Sequence, residues 1–317
     1  LVHLSKTARI LLKVSISAAL LYIMISKTGL ESLFRTIRGV SLSSFLSSAL
    51  LYILSIFISS IRWRLLLMKE VSLKRLFSLY LLGSFFNNLM PGSIGGDAVK
   101  AYYLSKDLDA KIAEKPSGQR TGLLEIPSVH LSVASVFMDR YIGFVSLLII
   151  AIIAYPFGFK YFKGSHIEWI LPLIITAFML GSYVIFILRI GRRLRFVRGF
   201  YEYLEYYKGE RGLLVKGLIL SLILQMIIIT SAFMISKGMD MNIPFYLLSL
   251  IIPLISVISS IPVSISGLGV REASFAILLT PIGVPYAQAI TLSVTWFLSF
   301  AAGSLPGLFL YLKRSHD

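Results

Sequence analysis

Two stretches carry polar chemistry inside an otherwise apolar chain. Residues 87–100 read Asn87-Asn88-Leu89-Met90-Pro91-Gly92-Ser93-Ile94-Gly95-Gly96-Asp97-Ala98-Val99-Lys100, and residues 261–272 read Ile261-Pro262-Val263-Ser264-Ile265-Ser266-Gly267-Leu268-Gly269-Val270-Arg271-Glu272. Each follows an apolar run too short to cross a bilayer, then breaks with Pro and Gly and places a carboxylate and a cation at what should be membrane depth. An unpaired polar group in lipid costs several kcal/mol, so such a break implies a use. A helix starting after Gly95-Gly96, or after Gly267 or Gly269, points its free N–H groups back at the loop, and helix N-termini favour anions. Lys100 and Arg271, one turn in, add full positive charge, and Ser93 and Ser264 add hydroxyl donors. The ligand this chemistry suits is an anionic group such as phosphate. The candidate binding residues are Pro91, Gly92, Ser93, Gly95, Gly96, Asp97 and Lys100 in the first stretch, and Pro262, Ser264, Gly267, Gly269, Arg271 and Glu272 in the second.

The acidic members leave several roles open. Asp97 suits a helix N-cap. Glu272 can pair with Lys100 or Arg140 across the bundle, and either acid can carry a proton. Asp139-Arg140, near the start of a later apolar run, is either an ion pair at the membrane boundary or a charge pair turned inward, and it joins the candidate list. Asn87 and Asn88 read as partners for broken backbone rather than for ligand. No Gly-Lys-[Ser/Thr] follows the glycines, so neither stretch is a P-loop. No nucleophile elbow or paired catalytic carboxylates appear, and no catalytic residue is assigned. The four His residues lack metal-ligand spacing and there is no Cys, so neither a metal nor another cofactor is expected.

The two stretches repeat each other. Pro91/Pro262, Ser93/Ser264, Ile94/Ile265, Gly96/Gly267, Val99/Val270 and Lys100/Arg271 all align at one offset, 262 − 91 = 171 residues. A shared Pro-x-Ser-Ile-x-Gly-x-x-Val-[Lys/Arg] pattern points to internal duplication.

The elements that must position these residues are membrane helices. Of 317 residues, 56% are hydrophobic and 15% charged, with a mean hydropathy of +0.83. That balance belongs to a polytopic membrane protein and leaves no polar stretch long enough for a large soluble domain. The net charge of +16 sits between apolar runs. Membrane topology and anionic headgroups therefore account for it, and nucleic acid is not expected as a partner. Full spans are expected at 10–25 (a short retained span, Lys13 snorkelling), 42–61, 131–155, 169–188, 218–235 and 286–312. Two re-entrant hairpins carry the repeated stretches. Residues 156–168 are expected as a loop, 114–130 as a polar insertion, and 196–207 as a helix in the headgroup layer.

With the N-terminus inside, the basic segments at 62–75, 100–120, 189–216 and 313–314 all fall on the cytoplasmic side, as the positive-inside rule requires. Three spans then separate the hairpins, so the copies are inverted. The expected fold is all-α: about six full spans plus two re-entrant broken-helix hairpins, in one transmembrane domain over 1–317. Repeat one covers about 1–155 and repeat two about 169–312.

Three motifs in order, Pro91–Lys100, Asp139-Arg140 and Pro262–Glu272, make the chain resemble the lysylphosphatidylglycerol synthase transmembrane, or flippase-like, family. The resemblance covers nearly the whole chain. Its departures are Lys100 in place of the commoner Arg and a longer 114–130 segment. Some bacterial members fuse this region to a soluble aminoacyl-transferase domain, for which these 317 residues hold no candidate. The resemblance thus implies movement of an anionic or polyprenyl-phosphate-linked lipid between leaflets of the cell membrane, without the synthase reaction. Membrane lipids with anionic or phosphate-bearing headgroups are the expected partners, and the oligomeric state is left open, a homo-oligomer included. A membrane-embedded lipid-linked transferase and a small-anion transporter are the alternatives.

Overall fold

The apolar run expected at 42–61 forms a longer helix, α1, Leu42–Leu67. At 1.5 Å per residue its 26 residues reach about 39 Å, enough to cross a hydrocarbon core of about 30 Å. The computed structural model describes residues 39–67, 71–89, 95–113, 127–189, 195–207, 209–261, 264 and 267–314. The span expected at 10–25 lies outside these, as do residues 114–126 of the insertion. Of the insertion, Ser128–His130 already belong to the helix that follows it.

After α1 come α2 (Leu73–Leu89), α3 (Gly95–Ala113) and α4 (Ser128–Phe162). A single 3-10 turn, His166–Trp169, leads into α5 (Ile170–Ser182), which widens into a π-helical stretch, Tyr183–Leu188. Then follow α6 (Arg195–Tyr206), α7 (Arg211–Gly238), α8 (Phe245–Ser260), α9 (Val270–Leu279), α10 (Tyr286–Ser304) and α11 (Pro306–Arg314). Among the described residues five stretches are long and apolar enough to cross a membrane: Leu42–Leu67, Ser128–Phe162, Ile167–Leu188, Arg211–Gly238 and Tyr286–Lys313. They match five of the six expected spans, and the sixth is the one outside the described residues.

The first hairpin follows from its glycines. A Cβ on Gly96 would overlap the Gly83 carbonyl oxygen, so α3 passes α2 backbone against backbone. Gly96 N–H donates to Asn87 Oδ1 at 2.8 Å near this crossing, and Arg75 holds Asp107 at 2.6 Å at the far end. Pairs 87/96 and 75/107 run in opposite directions, so α3 returns alongside α2. With 17 residues α2 reaches only about 25 Å, too short to cross, as a re-entrant arm requires.

In the second hairpin α8 is buried continuously from Leu247 to Ile255. A helix apolar all round belongs in a core. α9 starts directly after Gly269, whose φ of 83° a side chain would resist.

One expected loop is absent. Residues 156–162 continue α4 as helix, with Pro156 inside it. Pro removes one intrahelical bond, but packing outweighs that loss. Phe162 is buried and Gly158 fits against Leu250 of α8, where a Cβ would clash. The chain turns only at Lys163–Ser165, through Gly164 at φ 80°. The last expected span is likewise interrupted, at Leu305, where Pro306 opens α11.

α7 runs antiparallel along α1. Ser41 N–H reaches the Gly238 carbonyl at 3.0 Å, while Arg62 reaches the Ser221 hydroxyl at 2.7 Å. Small residues let the two approach, since a Cβ on Gly238 would sit 2.5 Å from Ser44. The amphipathic stretch at 196–207 is indeed a helix, but its tyrosines are tied to the bundle. Tyr203 contacts the carbonyls of Leu66 and Leu67 at 2.9 and 3.0 Å, and Tyr207 donates to Leu66. Those carbonyls end α1 without intrahelical partners, so α6 caps α1 from outside. Two apolar clusters result. One joins residues 63–142 with 201–207, the other residues 150–171 with 229–296, and α4 contributes to both.

Candidate functional site

The first motif and the Asp139-Arg140 pair converge, with their partners crossed. Asp139 accepts from Arg62 Nε at 2.8 Å and from the Tyr80 hydroxyl, and not from Arg140. Arg140 Nε donates to Asp97 Oδ2 at 2.5 Å. Lys100, three residues along α3 from Asp97, reaches its other oxygen at 2.9 Å. The Lys100 ammonium also lies 4.0 Å from the Tyr80 ring centroid and 5.4 Å from that of Trp63, a cation–π pocket. Asp97 therefore bridges two cations and does not cap its helix. Asn87, from α2, takes the capping role by accepting from Gly96. Asn88 instead donates to Ser304 at 2.9 Å, tying α2 to α10.

Several of these groups, though not Asp97, line a polar cavity of about 250 Å³. α1 supplies Ser55, Ser59 and Arg62, α2 supplies Tyr80, Ser84 and Asn87, α3 supplies Lys100, and α4 supplies Asp139 and Arg140. The opposite wall is Leu224 and Gln225 of α7 with Ser256 and Ser260 of α8. Both short arms, α2 and α8, thus face the same space. Among the described residues, Arg62, Lys100 and Arg140 gather here with Asp97 and Asp139. Lys100 and Arg62 are 4% and 5% exposed. The Arg140 side chain, although it holds Asp97, keeps 38% of its surface open.

The second motif forms a cluster of its own. Glu272 Oε2 accepts from Gly269 N–H at 2.6 Å and Oε1 pairs with Arg271 at 2.6 Å. Arg271 lies over the Phe297 ring at 4.3 Å and donates to Ser293 at 3.3 Å. Glu272 therefore pairs within its own helix and not with Lys100 or Arg140. The carboxylate reaches back one turn to the orphan N–H that opens α9, so Arg271 beside it is the nearest cation. Neither residue lines the polar cavity. Ser264 is buried, and among the described residues its hydroxyl has no partner. Gly95 and Gly96 open α3, and Gly267 turns against Ser259. Pro91, Gly92, Ser93 and Pro262 lie outside the described residues.

Reading the sequence missed Arg62 and Tyr80. Arg62 sits in Arg62-Trp63-Arg64, which reads as an interfacial cluster. Yet Ser48, Ser55, Ser59 and Arg62 fall at helical spacing on one face, and Leu65-Leu66-Leu67 extends the apolar run beyond them. Arg64 is exposed and Arg62 is not, as that spacing requires.

The sequence model of the family described as "Lysylphosphatidylglycerol synthase TM region" matches residues 10–307. The chain belongs to this family. Membership in the lysylphosphatidylglycerol synthase TM region family agrees with the five long apolar helices in making this a membrane-embedded chain. The chain is also similar to a UPF0104 membrane protein of Methanocaldococcus jannaschii, 24% identical over 213 residues. That match covers 58% of this chain and 58% of the relative, so it spans a little over half the length of the curated protein.

Proposed function

We propose that this protein moves an anionic, phosphate-bearing lipid between the leaflets of the cell membrane by alternating access. The observation that carries this reading is the polar cavity, buried in an apolar bundle and lined by the cations Arg62, Lys100 and Arg140. A membrane interior does not hold five charges without a purpose, and intramembrane ionisable groups mark substrate paths. The cavity is walled by helices from both expected repeats, which suits rocking of one against the other. The family's name refers to a lipid, in agreement with such a substrate. N- and C-termini on the cytoplasmic side complete the proposal and follow from the distribution of Lys and Arg.

Purified full-length protein in proteoliposomes tests it, with fluorescent phosphatidylglycerol, phosphatidate and a polyprenyl phosphate as probes. Accelerated exchange of at least one probe is expected. Arg140→Gln should slow it about tenfold or more, a loss of about 1.4 kcal/mol or more of interaction, while Arg64→Gln on the outer face leaves it unchanged. Folded protein that moves none of the three lipids overturns the proposal.

A further inference from the structure

The charges around the polar cavity are committed to one another. Arg62 faces Asp139, and Lys100 and Arg140 face Asp97. The hydrogen-bonding capacity left over belongs to neutral groups. Gln225 of α7 lines the cavity and is 8% exposed, yet its amide has no partner among the described residues. Ser59 of α1 also lines the cavity, is also 8% exposed, and its hydroxyl has no partner among the described residues either. The two are neighbours. Arg62 meets Ser221 where α1 and α7 run antiparallel, and Ser59 and Gln225 each lie one turn beyond that contact on the same face. A buried amide and a buried hydroxyl without partners cost free energy, which a ligand that bonds to them returns.

Two more hydroxyls extend the set. Ser55 donates to the Tyr52 carbonyl at 2.7 Å, and Ser256 of α8 donates to the Ile252 carbonyl at 2.8 Å. Both residues line the cavity, and a hydroxyl that gives its proton to the backbone has only acceptor capacity left to offer. Gln225 supplies donors and an acceptor, and the Ser59 hydroxyl acts either way. A phosphodiester only accepts, so it leaves Ser55, Ser256 and the Gln225 amide oxygen unmatched. The Asp139 carboxylate, in the same wall, repels it as well. The hydroxyls of a sugar or polyol both donate and accept, and suit all of these groups.

We propose that the polar cavity binds a hydroxyl-rich headgroup, a sugar or a polyol, and that Gln225 and Ser59 read its hydroxyls. This rests on the lipid reading and names the part of the headgroup that occupies the cavity. Ser59 belongs to one expected repeat, and Gln225 and Ser256 to the other, so the headgroup is held between the two.

The test measures the affinity of the full chain in detergent, by native mass spectrometry, for three lipids with the same acyl chains. Phosphatidylinositol carries a phosphodiester and a ring of hydroxyls. Phosphatidylmethanol carries the same phosphodiester and charge without hydroxyls. Glucosyl diacylglycerol carries hydroxyls without a phosphate. Phosphatidylinositol is expected to bind about tenfold or more tighter than phosphatidylmethanol, because a site built for hydroxyls strands its own polar groups against an analogue that lacks them. Gln225→Leu should bring that ratio to about twofold or less. Ser59→Ala, which removes only an oxygen and so keeps the test open if Gln225→Leu does not fold, should lower it about threefold. Met226→Leu, on the exposed side of α7, should leave it as it is.

Equal affinity for phosphatidylinositol and phosphatidylmethanol overturns the inference and leaves an anionic lipid as the cargo. An undiminished ratio in Gln225→Leu and Ser59→Ala overturns it as well. Tight binding of glucosyl diacylglycerol alone keeps the hydroxyl site and ends the anionic reading. Tight binding of phosphatidylinositol alone supports both.

Discussion

Arg62 and Asp139 illustrate what a buried ion pair asks of a fold. Each is desolvated, and each has further partners: Ser221 for Arg62 and Tyr80 for Asp139. A buried pair adds little net stability over an apolar replacement, but removal of one member strands the other. Arg62→Met should therefore lower the stability of the detergent-solubilised protein by about 3–5 kcal/mol. Arg62→Met with Asp139→Leu should recover much of that loss, and chemical denaturation of single and double variants measures both. A double variant no better than the single one would show that the ion pair is not what Arg62 contributes. At this scale the sequence is legible only in part. Asp97, Lys100, Asp139 and Arg140 are visible because charge among apolar residues has few explanations. Their pairing is not visible, because Asp139 and Arg140 are neighbours in sequence and point to different helices. The pairing of Glu272, left open by the sequence, is hidden for a related reason: its partner is its own neighbour, Arg271.

Among elements, the short arms α2 and α8 decide where polar groups end. Their length and their Gly/Pro breaks are plain in the sequence, so the antiparallel hairpin of α2 and α3 is expected and found. The continuation of α4 through Pro156 is not foreseeable, because it depends on α8 packing against residues 158–162. Pro is an unreliable stop where neighbouring helices compensate the lost bond. The glycine crossing gives this scale its prediction. Gly96→Ala drives a methyl into the Gly83 carbonyl, which is backbone and cannot swing aside, and also meets Asn87 at 2.7 Å. Overpacking of this kind costs about 1–3 kcal/mol, and more where backbone must move. Gly181→Ala, into open space, should cost nothing measurable. Thermal unfolding of the two alanine variants compares two helical glycines that differ only in their surroundings. Equal melting temperatures would mean that α3 does not cross α2 this closely.

For the whole molecule, the offset of 171 residues extends beyond the motifs. Added to the bounds of α1, 42–67, it gives 213–238, and α7 is Arg211–Gly238. Added to α2, 73–89, it gives 244–260, and α8 is Phe245–Ser260. α1 and α7 are antiparallel, the orientation that equivalent helices of an inverted repeat must have. Each expected half also clasps its corresponding helices with an indole. Trp63 of α1 donates to Ser135 of α4, and Trp296 of α10 donates to Ser231 of α7. These agreements support inversion. Cysteine labelling of intact cells reports which face is cytoplasmic, and the absence of Cys from these 317 residues makes each introduced thiol unique. Asp109, Glu210 and Lys237 are exposed and suit a membrane-impermeant maleimide. α3 ends near the start of α2, through Arg75 and Asp107, and α6 packs on the end of α1, so Asp109 and Glu210 belong to one side. Ser41 is bonded to Gly238 at the other end of α1, which places Lys237 on the opposite side. Lys237→Cys should react in intact cells, while Asp109→Cys and Glu210→Cys react only after permeabilisation. Reaction of all three from outside would refute the spanning of α1 and α7. Reaction of Asp109→Cys alone, with Lys237→Cys, would make the α2/α3 hairpin a full crossing. The inverted repeat, and a cavity reached from each face in turn, would then lose their basis.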